Sequence, residues 1–275
     1  MTELVFLLPA FVACLIMTGI HAFLGIHVIE RKVIFVDLSL AQVAALGTAF
    51  GMLLGYDFGS TQSYFSGLAF TLVGAAIFAL TRMRHERIPH EAIIGIVYAV
   101  SAAAFILIMD RAPEGAEKIK GMLVGSILFV SWDVIIETAL LYAFIGVFHY
   151  IFRDKFLLIT QNPKRAYELG LSIRFWDFLF YTSFGFVVTS SVSIAGVLLV
   201  FSYLVVPSVF AILFSDNLKR RLLIGWSVGF TASLLGIILS LNFDLPTGAA
   251  IVCTFGLLLL FAGIFHVIQD KISHT

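Results

Sequence analysis

Charged residues are scarce in this chain of 275 residues. Asp, Glu, Lys and Arg make up 12% of it, against about a quarter in ordinary soluble domains. The longest hydrophilic stretch is residues 153–177, so no separate soluble domain can be accommodated. The formal net charge is zero, which gives a nucleic-acid partner no electrostatic basis. Cys14 and Cys253 both fall within apolar segments, so we expect no disulfide.

Motifs for catalysis are also lacking. No G-x-x-x-x-G-K-[ST] phosphate loop occurs, so the chain is not expected to hydrolyse ATP by that route. The run "HERIPH", which ends at His90, differs from the zinc-protease pattern H-E-x-x-H because its second His comes one residue late. No Ser/His/Asp arrangement has an informative spacing. We therefore expect neither an enzyme nor a permanently bound cofactor.

Long apolar runs recur along the whole chain, and 60% of its residues are hydrophobic. Runs of about 20 apolar residues are typical of membrane-spanning helices, whereas a barrel would show short alternating segments. The sequence predicts one all-α polytopic membrane domain over residues 1–275, with eight or nine spans and a retained first span rather than a cleaved signal peptide. Segment 122–130 is apolar but too short to cross, which predicts a half-helix or re-entrant piece. The predicted spans are 4–29, 34–54, 64–81, 91–109, 133–152, 178–190, 197–214, 222–241 and 248–268.

The distribution of basic residues predicts the orientation. With nine spans and the N-terminus outside, 14 of the 17 Lys and Arg residues fall in inside loops. Only Arg111, Lys118 and Lys120 fall outside. Because Lys and Arg accumulate in cytoplasmic loops, this arrangement predicts an external N-terminus, a cytoplasmic C-terminus and a cytoplasmic loop at 153–177.

The cytoplasmic loop contains "NPKRAYELG", which has the start and stop signals of a short helix. Asn162 is suited to cap the first amides, Pro163 to the first helical position, and Gly170 to the left-handed residue that ends a helix. A helix this short is unstable alone in water. It either rests on its own bundle or docks against a partner protein, and the local sequence leaves both alternatives open.

Three polar side chains in the first two spans are candidate ligands for a divalent cation. His21 and Gln42 lie about ten residues on either side of the Arg31–Lys32 hairpin, which puts both about 15 Å into the membrane. Asp37 lies one turn from the same hairpin. Imidazole, carboxylate and amide groups suit a divalent cation such as Zn²⁺ or Mn²⁺. The alternative is ordinary hydrogen bonding between helices for His21 and Gln42, and capping or ion pairing for Asp37.

Several segments together resemble the membrane permease of bacterial ABC importers for zinc, manganese or iron. They are "RKVIFVDLSLAQVAALGTAFG", "EAIIGIVYAV", "LVGSILFVSWD", "SIAGVLLVFSYLVVPSVFA" and "FDLPTGAAIV". "NPKRAYELGLS" resembles the family's cytoplasmic coupling helix.

The resemblance implies a homodimer in the bacterial cytoplasmic membrane. Two separate ATPase subunits dock on its cytoplasmic loops, and an external binding protein delivers the metal. The residues that it implies for ATPase docking are Asn162, Pro163, Lys164, Arg165, Ala166, Tyr167, Glu168, Leu169 and Gly170.

The chain departs from this family at one point. Members carry an Asp and a His four residues apart early in the second span, and alignment from "GTAFG" puts Leu38 and Gln42 at those positions. Asp37 then lies one place early. An amide oxygen is a poorer ligand for Zn²⁺ than imidazole, so we expect His21 to supply the missing ring, with Gln42 and Asp37 nearby.

Two other functions remain open from the sequence. One is a permease for siderophores or cobalamin, whose membrane domains share the Pro/Gly elements but are usually longer. The other is an ion-coupled secondary carrier or channel that needs no ATPase. A carrier is expected to show a stronger inverted repeat and more paired carboxylates at the membrane midplane.

Overall fold

Helices account for the secondary structure of the chain. The computed structural model describes residues 2–57, 59–82 and 88–273, and these form eleven α-helices, a short 3₁₀ turn at Ile127–Phe129 and no β-strand. In lipid every backbone amide needs an internal partner, which a helix supplies. The helices are α1 (Thr2–Glu30), α2 (Val36–Leu53), α3 (Thr61–Thr81), α4 (His90–Met109), α5 (Gly115–Val124), α6 (Trp132–Ile151), α7 (Arg153–Gln161), α8 (Pro163–Glu168), α9 (Ile173–Phe214), α10 (Leu218–Phe243) and α11 (Thr247–Ser273).

Eight of the described helices are long and apolar enough to cross a membrane: α1, α2, α3, α4, α6, α9, α10 and α11. This confirms the predicted polytopic all-α architecture. The apolar segment 122–130 is divided between the end of α5 and the 3₁₀ turn. Neither piece is long enough to span, as the sequence indicates.

Helix α9 consists of two segments that fold back on each other at Gly196. Its 42 residues would extend about 63 Å if straight, twice the thickness of a bilayer core. Ser191 hydrogen-bonds His21, and Ser208 donates to the carbonyl of Ala22, the next residue of α1. A straight helix would hold the two serines about 25 Å apart. The chain therefore reverses direction, and the eight helices supply nine apolar segments.

Three glycines make the reversal at Gly196 sterically feasible. Gly196 has φ +76° and ψ 161°, a backbone conformation that is essentially restricted to glycine. Gly125 has φ +72° and its backbone lies directly against Ala195 and Gly196. A Cβ on Gly248 would lie 2.7 Å from the carbonyl oxygen of Val124. We call Gly125, Gly196 and Gly248 the glycine junction.

The glycine junction also satisfies a backbone group that the break leaves free. The amide of Ser126 donates to the carbonyl of Ile194 at 3.2 Å. A carbonyl without a partner at membrane depth costs several kcal/mol. The turn after α5 thus completes the hydrogen bonding of α9, which explains why an irregular backbone is tolerated here.

The opposite end of the bundle is held together by ion pairs. Arg31, just after α1, and Arg82, which caps α3, both pair with Asp177 near the start of α9. Arg221, near the start of α10, pairs with Glu30 at the end of α1. We call this the Asp177 end. The loops that the charge distribution assigns to the cytoplasm meet there, except residues 83–87, including Arg84 and Arg87, which lie outside the described residues.

Candidate functional site

The predicted short helix forms at the Asp177 end as α8. The side chain of Asn162 accepts a hydrogen bond from the amide of Arg165 at 3.0 Å, and Pro163 occupies the first turn. At the other end Gly170 has φ +73°. Its amide donates to Tyr167, and the amide of Leu171 donates to Ala166, both at 3.0 Å. This pair of bonds is a Schellman motif, so the start and stop signals are confirmed.

Helix α8 has a buried face and an open face. Ala166 is fully buried and Tyr167 is half-buried against the core, which holds the helix on the bundle. Leu169 is 56% exposed. Lys164 and the Arg165–Glu168 ion pair are also exposed. Ala166 therefore supports α8 from behind, and the exposed residues are the ones available to a partner.

His21, the predicted imidazole ligand, is enclosed within the bundle. It is fully buried, and its Nδ1 donates to the carbonyl of Met17 at 2.8 Å. Its Nε2 lies 3.2 Å from the hydroxyl of Ser191, which also bonds Tyr142. Both ring nitrogens thus contribute to packing among α1, α6 and α9. The helix that carries Asp37 and Gln42 packs mainly on α3, α4 and α9 instead.

Asp37 has a free carboxylate oxygen. It lies in the first turn of α2, and its Oδ1 accepts from the amide of Leu38 at 2.7 Å. Its Oδ2 is buried and has no hydrogen-bond partner among the described residues. Glu91, in the first turn of α4, accepts from the amide of Phe35 at 2.9 Å through its Oε1. Its Oε2 is also buried without a hydrogen-bond partner in the part of the chain that the structure describes. Two carboxylates thus lie near the N-terminus of α2. In the sequence, Glu91 was marked only by its position at the start of the predicted span 91–109.

Gln42 is also buried in α2, but it does not share a face with Asp37. Five residues along a helix rotate a side chain by about 140° from the starting face. Within residues 2–57, 59–82 and 88–273, no cluster of three or more His, Cys, Asp and Glu side chains could hold a metal. Asp37 and Gln42 thus lie on different faces of α2, and both ring nitrogens of His21 are engaged by Met17 and Ser191. The role of these three residues in ion transport stays a prediction.

A cavity of about 550 Å³ lies between α1, α6, α7 and α10 and is lined by His27 and His149. His149 lies within hydrogen-bond distance of Ser183 through its Nε2, at 2.8 Å. Ser183 uses its own proton on the carbonyl of Phe180, so His149 is the donor. Its ring stacks on Phe156. The cavity walls are otherwise mainly apolar, so this space is unsuited to a hydrated cation.

The Asp177 carboxylate organises the polar groups behind α8. It is fully buried and accepts from Arg31 at 2.8 Å and from Arg82 at 2.6 Å. Arg31 also donates to the hydroxyl of Thr160 in α7, which in turn meets His27. Burial lowers the pKa of the Arg31 guanidinium, and Asp177 opposes that effect. No local sequence pattern indicates these ion pairs, because Asp177 is 146 residues from Arg31 and 95 residues from Arg82.

Comparison with known proteins identifies the family. The ABC 3 transport family matches residues 3–266. The chain belongs to the ABC 3 transport family. A "Probable iron transport system membrane protein" of Haemophilus influenzae is 27% identical to this family member over 262 residues, 94% of this chain and 90% of that protein. The "Manganese transport system membrane protein MntC" of Listeria innocua is 24% identical over 264 residues, with the same coverage of both.

A solved structure has the same fold as this ABC 3 transport family member. It is "PsaBC from Streptococcus pneumoniae in complex with Fab", with a TM-score of 0.77 and 23% identity over 94% of this chain and 90% of that chain. The family assignment confirms the resemblance stated from the sequence. The chain is a multi-pass membrane permease, and as a member of this family it is not itself an enzyme.

Proposed function

We propose that the chain is the permease of an ABC importer that moves a divalent transition-metal ion into the cytoplasm, powered by a separate ATPase subunit. The observation that carries the proposal is α8, a capped helix with an exposed leucine, built into the basic end of a transport bundle. The open face of α8 presents Leu169 beside Lys164 and the Arg165–Glu168 ion pair, a mixed apolar and charged surface suited to a protein partner. The names of the relatives, which mention iron and manganese transport, support these metals as cargo ahead of zinc.

The Asp177 end is the cytoplasmic side in this proposal. Arg31, Arg82, Arg153 and Arg221 all lie there, and basic residues accumulate on that side of a membrane. The N-terminus then lies outside and the C-terminus inside the bacterial cytoplasmic membrane. The glycine junction faces the exterior, where a metal-binding protein delivers the ion.

The mechanism follows from where α8 sits. Two permeases form a homodimer, and each α8 docks on one ATPase subunit. Closure of the ATPase pair on ATP displaces α8, and the bundle then rocks around the ion to open inward.

Asp37 is the ion contact that the geometry favours. Its free oxygen is buried, so a cation is the partner that would offset the cost of its charge. Carboxylate and amide oxygens suit Mn²⁺ and Fe²⁺ better than they suit Zn²⁺. Gln42 would then bind the ion either at the contact with the partner protomer or after α2 rearranges. His21 would act only by packing against neighbouring helices.

Reconstitution tests the function. The tagged chain is purified from its native membrane with the ATPase that accompanies it, placed in liposomes, and supplied with the external binding protein. We expect uptake of Mn²⁺ or Fe²⁺ that requires ATP on the side of the liposome membrane where the ATPase subunits lie. Replacing ATP with a non-hydrolysable nucleotide should stop this uptake. Uptake by the chain alone would instead identify a carrier, and uptake of the metal only as its siderophore complex would identify the other importer class.

Asp37→Asn tests the proposed ion contact. The substitution keeps the side-chain shape and removes the charge, so we expect metal uptake to fall by about tenfold, the factor for about 1.4 kcal/mol. ATPase association should not change. Asp133→Asn, an exposed carboxylate at the opposite end, is the control. His21→Ala is measured beside it, because unchanged metal dependence in that variant would remove the imidazole from the site. Wild-type uptake by Asp37→Asn would contradict the assignment of Asp37.

A further inference from the structure

We propose that Arg31, Arg82, Thr160 and Asp177 are positioning residues that transmit the movement of α8 to the membrane helices. We call these four residues the Asp177 clamp. The inference rests on the proposed function, because it assigns the path by which ATP-driven displacement of α8 reaches the bundle. It adds a connection inside the permease, on the bundle side of α8, made by residues other than the proposed ion contact Asp37.

Both oxygens of Asp177 are used to join helices that are distant in sequence. Oδ1 accepts from Arg31, which follows α1, and Oδ2 accepts from Arg82, which caps α3. The Asp177 and Arg31 side chains are almost fully enclosed, and Arg82 is only 15% exposed. The start of α9 therefore cannot move without carrying the ends of α1 and α3, or breaking a buried ion pair.

Arg31 connects this ion pair to the segment before α8. Its Nη1 binds Asp177, while its Nε donates to the Thr160 hydroxyl at 2.9 Å. Its guanidinium also lies 4.0 Å from the ring centroid of Phe180 in α9. A planar guanidinium held on several sides has one permitted position. Arg31 thus fixes α7 relative to α1 and α9.

Thr160 is well placed to pass on a displacement of α8. It lies in the last turn of α7, and only Asn162, the cap of α8, separates the two helices. Phe156 and Ile159 anchor α7 in the core. Displacement of α8 therefore reaches the clamp through Thr160.

The charge balance of the clamp suits a connection that transmits movement better than one that only stabilises the fold. One carboxylate faces two guanidinium groups, so a positive charge remains in a buried site. Arg31 Nη2 and the hydroxyl of Tyr181 are also buried without a hydrogen-bond partner among the described residues. Buried ion pairs add little net stability but specify geometry. The unused donors provide bonds for a second arrangement, which a two-state element requires.

The test measures metal ions transported per ATP hydrolysed in the reconstituted complex. Thr160→Val keeps the shape of the side chain and removes only its hydroxyl, and Asp177→Asn removes the charge. We expect both complexes to assemble, and the ratio to fall by about tenfold in Thr160→Val, the factor for one hydrogen bond to a charged group, and further in Asp177→Asn. A residue that only stabilises the fold would lower yield and both rates together, leaving the ratio unchanged.

Matched controls exist for each variant. Thr71→Val removes a buried hydroxyl that bonds Thr189 between α3 and α9, away from α7 and α8. Glu30→Gln breaks the neighbouring Glu30–Arg221 pair. Both should keep the wild-type ratio. An unchanged ratio in an assembled Thr160→Val complex overturns the clamp, even if Asp177→Asn fails to assemble. Absence of ATP-driven uptake in the wild type overturns the proposed function itself, and the clamp with it.

Discussion

Gly196→Ala is expected to destabilise the second half of the bundle strongly. The added Cβ would lie 2.4 Å from the amide nitrogen of Gly125 and 2.6 Å from the carbonyl carbon of Val124, both backbone atoms. Backbone cannot rotate away as a side chain can. The φ of +76° adds the strain of a conformation that only glycine adopts readily. We expect a loss of at least about 3 kcal/mol, hence a melting temperature lower by about 10 °C.

Thermal melting of the purified permease in detergent measures this effect, with monodisperse yield as a second readout. Gly146→Ala in α6 is the control, because nothing lies within 4 Å of the position of its Cβ. Alanine in a helix interior is favoured over glycine by roughly 0.5–1 kcal/mol, so this variant should be neutral or more stable. Gly125→Ala should behave like Gly196→Ala, since its Cβ would lie 2.1 Å from the carbonyl carbon of Ala195. A wild-type melting temperature in Gly196→Ala would refute the role of the junction.

Leu169→Glu is expected to release the ATPase subunit. Leu169 is exposed on the open face of α8, so a charge there leaves the permease fold intact but would be buried unpaired in a docked complex. Leaving a charge unpaired at a protein interface typically costs 2–5 kcal/mol. We therefore expect the ATPase retained on the tagged permease to fall by at least about thirtyfold, with loss of ATP-driven uptake. Quantitative co-purification measures it.

Leu54→Glu is the matched control for this docking surface. Leu54 is 59% exposed, close to the 56% of Leu169, but it follows α2 at the opposite end of the bundle. The ATPase should remain bound to that variant. Ala166→Glu is unsuitable as a docking probe, because Ala166 is fully buried and a glutamate there would displace α8 itself. Full retention of the ATPase by Leu169→Glu would return α8 to the alternative of a helix that only rests on its own bundle.

The proposed clamp and the docking helix have different energetic roles. In the proposed function, exposed Leu169 governs whether the ATPase binds, whereas buried Thr160 and Asp177 govern how much transport each hydrolysed ATP drives. Variants of the first kind should therefore lose the complex, and variants of the second kind should keep the complex and lose transport per ATP. Measured together, the two sets of substitutions therefore distinguish loss of ATPase binding from loss of coupling between ATP hydrolysis and transport.

The sequence predicted the features that depend on short-range chemistry. Asn162, Pro163 and Gly170 set the ends of α8 through contacts with residues three to five positions away, so local pattern was sufficient. The number of apolar segments also followed from composition, since a bilayer demands a run of about 20 apolar residues for each span. The break at Gly196 separates the two predicted spans 178–190 and 197–214. Neither result requires knowledge of which helices are neighbours.

Only the tertiary structure decided which distant side chains meet. The sequence predicts His21 and Gln42 at equal depth in adjacent spans, yet the ring of His21 bonds Met17 of its own helix and Ser191 of α9, while α2 packs mainly on α3 and α4. The Asp177 ion pairs join positions far apart in sequence, and no local pattern encodes such a partner. Depth and hydropathy are properties of a single segment. Contact between segments depends on how all the helices pack, so the capped helix α8 could be predicted from the sequence and the ion pairs behind it could not.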